Sequence, residues 1–116
     1  MTEQASSCTI IHFSNPYTTF NDDLQNIDIL QEECAELIKI ASKNKRWGTE
    51  SYNPMDPDGT SNRDLLVQEI GDVLAMIDCI KHSPHFNISD SEIEKAKRKK
   101  LIKLKDFYHF PSHSFE

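Results

Sequence analysis

Leu30-Gln31-Glu32-Glu33-Cys34-Ala35-Glu36-Leu37-Ile38 is the stretch that decides the fold, and Leu66-Val67-Gln68-Glu69-Ile70-Gly71-Asp72-Val73-Leu74 echoes it downstream. Each carries two carboxylates one helical turn apart, among apolar residues that recur at three- and four-residue steps. At roughly 100° per residue, Glu33 falls near −100° and Glu36 near −160° from Cys34, in a sector shared with Ile29 and Ile40. Glu69 and Asp72 take the same two angles from Ile70, bracketed by Leu65 and Met76. A shift of 36 residues therefore superposes Ile29-Glu33-Glu36-Ile40 on Leu65-Glu69-Asp72-Met76. It also sets Ala35 over Gly71, small residues that let two helices approach closely.

Working outward, the first helix is expected from about Asn21 to about Asn44. Its stripe is Leu24, Ile27, Leu30, Cys34, Leu37, Ile38 and Ala41, and Asn21, Asp22 and Asp23 cap its start and complement its dipole. Residues 45–62 collect Gly, Pro, Asp and Asn and form a long loop, which in a compact domain is usually functional or mobile. A second helix runs from about Arg63 to Lys81, with Leu66, Val67, Ile70, Val73, Leu74 and Ile77 as its stripe, and stops before Ser83-Pro84. A third opens on the capping box of Ser89 and Glu92 and carries Ile93, Ala96, Leu101, Leu104 and Tyr108. Residues 1–19 form an arm in which Thr9 to Phe13 suits a short strand, and 109–116 a tail without period. The expected fold is all-α: one domain over 1–116, an antiparallel helical bundle.

A chain of 116 residues, 37% hydrophobic, buries a modest core, and oligomerisation is expected to complete it. Cys8, Cys34 and Cys79 are odd in number and show no C-x-x-C spacing, as suits reduced thiols that pack. With neither an apolar run of membrane-spanning length nor a signal-like start at Met1-Thr2-Glu3-Gln4, a soluble, cytoplasmic protein without membrane partners is expected. A net charge of −6 argues against general nucleic-acid binding, although Lys95, Lys97, Arg98, Lys99, Lys100, Lys103 and Lys105 mass in the third helix.

A single Glu-x-x-Glu is usually a solvated helix face. Two such pairs framed by aliphatic residues are different, because four carboxylates gathered in a bundle repel one another unless a cation neutralises them. Oxygen-only ligation by Glu33, Glu36, Glu69 and Asp72 suits a hard ion, Mg²⁺ or Mn²⁺. No histidine stands three residues after any of these acids, which disfavours a di-iron bundle. Asp56-Pro57-Asp58-Gly59 fails the register of a calcium loop and reads as a turn.

Glu32-Glu33-Cys34-Ala35-Glu36-Leu37 followed by Glu69-Ile70-Gly71-Asp72 resembles the E-E-x-x-E … E-x-x-D signature of the MazG-like, all-α nucleoside triphosphate pyrophosphohydrolases, over about residues 21–105. The segment between the two motifs is longer than is usual in that family. The resemblance implies that Glu33, Glu36, Glu69 and Asp72 hold Mg²⁺, with Mn²⁺ as a substitute, and that Glu32 and Glu36 serve catalysis, Glu32 by binding a further ion or orienting water. It implies hydrolysis between the α and β phosphates of a nucleoside triphosphate, giving a monophosphate and pyrophosphate. A short chain with only three long helices must borrow core from a partner, so a homodimer or homotetramer is expected. A dUTPase-like or phosphoribosyl-ATP-specific enzyme would use the same scaffold.

Phosphates need cations, and Lys39, Lys43, Lys45 and Arg46 near the end of the first helix, with Lys97, Lys100 or Lys103 on the third, are the candidates. Trp47, the only tryptophan, either stacks on a base or caps the core; Tyr52 is a weaker candidate of the same kind. Asp78 and the dispersed His12, His82, His85, His109 and His113 are expected outside the chemistry. The competing class is a non-enzymatic helical protein, its acids holding a structural ion and its basic helix binding nucleic acid or an acidic partner.

Overall fold

A computed structural model describes residues 20–108, and every regular element in them is helical: α1 (Phe20–Trp47), α2 (Asn62–Lys81) and α3 (Asp90–Tyr108). The expected arm at 1–19, with its Thr9–Phe13 strand and Cys8 and His12, lies outside the described residues, as do His109, His113 and the rest of the tail.

α1 continues one turn beyond the expected end at Asn44. The stop comes at Gly48, whose φ of 93° is the left-handed geometry that glycine takes at little cost, and whose N–H donates to the Asn44 carbonyl at 3.0 Å. Lys45, Arg46 and Trp47 are therefore helical, and the connection shrinks to 48–61. α2 starts one residue early because Ser61 caps it, its hydroxyl accepting from the Asp64 N–H at 3.1 Å. The capping box of α3 forms as expected: Ser89 N–H donates to Glu92 at 2.9 Å and Glu92 N–H to the Ser89 hydroxyl at 3.2 Å.

The loop is a tied structure. Tyr52 and Ser61 form an antiparallel bridge, Arg63 N–H donates to the Thr49 carbonyl at 2.8 Å, and Asn62 N–H donates to the Ser51 carbonyl at 2.7 Å. Asp56 makes a turn, as the sequence indicates: its carboxylate accepts from the N–H groups of Asp58 and Thr60, each at 3.0 Å, and these bonds hold its pKa below the ordinary value.

α1 and α2 pack as an antiparallel pair, with Asn44 against Asn62 at one end and Asp23 against His85 at the other. The α1 side of the seam runs Asp23, Asn26, Leu30, Glu33, Leu37, Ile40, Asn44, all buried or half-buried. The α2 side runs Asn62, Leu65, Glu69, Val73, Met76, Cys79 and Ile80. The contact face is thus rotated from the expected stripes toward the acids. Leu24, Ile38, Val67, Ile70 and Leu74 stay exposed, Ile38 at 69%, while Ile40, Met76, Cys79 and Ile80 are the buried apolar residues among those described. The physical reason is that two helices bury one seam; the remaining apolar face needs another partner.

α3 does not supply it. Its start is held by Asp90, which pairs with Lys81 at the end of α2, but it does not pack along the α1–α2 pair. Within the described residues the chain forms an antiparallel helix pair with a third helix standing apart, and Ile102 and Phe107 are exposed. Cys34 is half-buried and Cys79 buried, as packing residues would be.

Candidate metal centre

The middle of the seam is acidic. Glu33 on α1 and Glu69 and Asp72 on α2 each offer a carboxylate oxygen, and these oxygens lie within 4.8 Å of one another. Glu33 and Glu69 are half-buried and Asp72 is exposed, so the cluster opens to solvent on the Asp72 side. The helix phases explain the meeting: Ile40 and Met76 are buried, and Glu33 and Glu69 lie seven residues, two turns, before them on the same faces of their helices.

Glu69 carries the electrostatic cost. Its Oε1 is sealed from solvent and, among the described residues, accepts no hydrogen bond. Two carboxylates can share a hydrogen bond only if one keeps its proton, and here Glu69 is the one pushed toward keeping it. This contact is the largest influence pushing the Glu69 pKa from 4.5 up to about 7, followed by burial and by the negative charges of Glu33, Asp72 and Glu36. An oxygen-only set with an orphaned buried acceptor suits a hard divalent cation, which would satisfy Oε1 and cancel the repulsion.

Glu36 is exposed at the edge of the cluster, close enough for its charge to act on Glu69, and its carboxylate pairs with Lys39 at 4.0 Å. Glu32 is exposed and outside the cluster. Beyond Glu36, Lys39, Lys43, Arg46 and Trp47 line one groove of about 330 Å³, so these four predicted residues come together. A second, larger cleft of about 480 Å³ lies between the end of α1 and the loop, with Lys43, Trp47, Tyr52 and Asn62 in its walls. Lys97 and Lys100 are on α3; Lys97 pairs with Glu94 at 3.5 Å, while Lys100 joins Lys103 and Phe107 along a groove of their own helix. Packing within the chain does not bring them to the acids.

Two polar contacts of the seam were not anticipated. Asn44 donates to the Asn62 carbonyl at 3.0 Å, while Asn62, 4% exposed, donates to the Gly48 carbonyl at 2.9 Å. Asp23, 1% exposed, takes a hydrogen bond from His85 Nδ1. The signal was present: Asp23, Asn26, Leu30, Glu33, Leu37, Ile40 and Asn44 recur at three- and four-residue steps, a seam visible once polar residues are admitted to the stripe. No family model, curated protein or solved structure matches this chain.

Proposed function

We propose that the chain is a Mg²⁺-dependent nucleoside triphosphate pyrophosphohydrolase of the MazG-like kind, which splits the α–β anhydride to give a nucleoside monophosphate and pyrophosphate. The observation that carries this reading is the meeting of Glu33, Glu69 and Asp72 across the α1–α2 seam, with Glu69 Oε1 buried and lacking a donor. Glu33, Glu69 and Asp72 would hold the cation, with Glu36 at the rim. When bound, the ion supplies Lewis-acid polarisation of the phosphoryl group and a more acidic water.

The remaining work falls to the chain. Glu36 and Glu32, both exposed beside the cluster, can orient and deprotonate a water at the open side. Lys39, Lys43 and Arg46 follow Glu36 along one groove of α1 and are suited to hold the departing pyrophosphate by charge. They are better placed for that role than Lys97 or Lys100. The exposed apolar face of Leu24, Ile38, Val67, Ile70 and Leu74 supports assembly as a homodimer or homotetramer, in which a second chain completes the bundle.

A substrate panel of the common NTPs and dNTPs with product analysis tests the reading, and orthophosphate as the product would remove it. The exposed basic side of α3 favours one second reading, a helical protein that binds an acidic partner. That alternative predicts salt-sensitive binding to polynucleotide and no effect of Glu36→Gln on it.

A further inference from the structure

The cleft between the end of α1 and the loop is built before any ligand arrives. Asn62 forms its base: the side chain is 4% exposed, donates to the Gly48 carbonyl at 2.9 Å and to the Lys43 carbonyl at 3.5 Å, and its backbone N–H holds the Ser51 carbonyl at 2.7 Å. The Ser51 hydroxyl donates to the Trp47 carbonyl, and the Tyr52–Ser61 bridge closes the other side. On this tied frame stand Trp47, 64% exposed, and Tyr52, 57% exposed, large rings left in solvent around a volume of about 480 Å³. Lys43 adds a cation and Asn53 an amide to the same walls. A preformed cleft of this size, with two aromatic faces and few polar groups, is a site for a flat, hydrogen-bonding ring.

Its position relative to the acids is consistent on both helices. Lys43 lies seven residues past Glu36 and ten past Glu33, and Asn62 lies seven residues before Glu69, so the cleft stands about 10–15 Å from the acids along the helices. Side chains on α1 lean toward its N-terminus, which aims Lys43 and Trp47 back toward Glu36. The gap is of the order that a ribose and its first phosphate would span. We propose that this cleft is the nucleobase subsite, with Trp47 and Tyr52 as its aromatic walls, and that a base bound there directs its 5′-phosphates toward Glu33, Glu69 and Asp72. The loop 48–61 is then the element that selects the base. The direction of the phosphates rests on the hydrolase reading; the binding of a base does not.

Trp47 is the only tryptophan, so intrinsic fluorescence reports on the cleft directly. The full chain in EDTA is titrated with AMP, CMP, GMP and UMP, and with ribose 5-phosphate as the baseless control. Saturable quenching by at least one nucleotide and none by ribose 5-phosphate is expected. Tyr52→Ala weakens that binding about tenfold while Tyr52→Phe retains it; if Tyr52→Ala lowers Tm, Tyr52→Leu takes its place. No quenching by any of the four nucleotides, equal quenching by ribose 5-phosphate, or wild-type binding by the ringless Tyr52 variant overturns the subsite. Metal-dependent turnover without quenching contradicts the cleft and spares the hydrolase; quenching without turnover does the reverse.

Discussion

Glu33 and Glu69 face each other across the α1–α2 seam, and each belongs to an acid pair at the same phase of its own helix. The contact leaves Glu69 Oε1 buried without a donor and raises the Glu69 pKa to about 7. A seam that places its least favourable polar contact at its centre gives up stability there, as binding sites commonly do. Neutralising the contact should therefore separate folding from function. Glu69→Gln is expected to keep or raise Tm by a few degrees in metal-free buffer, because it removes the repulsion, and to lower metal-dependent turnover by at least about a hundredfold. Thermal melts and initial rates measured on the same preparation check both halves.

Metal should relieve the same repulsion in the wild type. At saturating Mg²⁺ the chain is expected to gain several degrees of Tm, since a ligand at about a hundred times its dissociation constant stabilises by about 2.7 kcal/mol. The gain disappears in Glu33→Gln and Asp72→Asn. A melt series in EDTA, Mg²⁺ and Mn²⁺ reads this without reference to activity.

Asn62 ties the end of the seam to the loop. Asn62→Ala leaves the Gly48 carbonyl without its 2.9 Å donor and opens the loop frame, and a loss of about 1–3 kcal/mol is expected. Asn62→Asp, which cannot donate from the same position, should lose a similar amount. Urea unfolding monitored by helical circular dichroism measures both.

The junction between α2 and α3 has a defined pH window. Hydrogen bonds from the Ser89 N–H and hydroxyl hold the Glu92 pKa below 4.5, and Lys81 holds Asp90 below 3.8, while Asp90 and Asp78 raise Lys81 above 10.5. The depressed carboxylates contribute stability above their unfolded values that is lost as pH falls through their folded ones. The raised lysine contributes below 10.5 and loses its share as pH rises through its folded value. The start of α3 is therefore expected to stay ordered from about pH 5 to pH 10 and to fray on both sides. Amide chemical shifts of Ser89 and Glu92 followed across that range test it.

The exposed apolar face predicts self-association. Leu74, 54% exposed, and Ile38 stand on the side of the pair turned away from the seam. Leu74→Glu should shift the particle toward monomer at low micromolar concentration, as light scattering coupled to size exclusion would show. Wild-type mass unchanged and monomeric at every concentration would exclude assembly through this face.

Much of this was legible in residues 20–108. The capping box at Ser89 and Glu92, the turn at Asp56 and the equal phases of the two acid pairs follow from spacing alone, because they depend on neighbours in the chain. The direction in which each helix faces does not. Periodicity located apolar stripes through Leu24, Ile38, Val67 and Leu74, but the intrachain contact took the flank through Asp23, Glu33, Ile40 and Asn44; Leu30, Leu37 and Val73 of those stripes entered the seam and the other four stayed outside. A stripe records that something will be covered without saying by which chain. In the same way the basic run from Lys95 to Lys105 marks an amphipathic helix, and only the packing of α3 shows that it leaves the acids of its own chain. The extra turn of α1, which makes Arg46 and Trp47 helical, depended on Gly48 supplying the stop, a choice among several glycine and proline signals in 45–62.

The most direct test of the central claim is phosphorus NMR of the products formed from the common NTPs and dNTPs, with Mg²⁺ and in EDTA, by the wild type and by Glu69→Gln. The account predicts nucleoside monophosphate and pyrophosphate in equal amounts, only with metal and only from the wild type. Orthophosphate as the first product, turnover that persists in EDTA, or full activity in Glu69→Gln would contradict it.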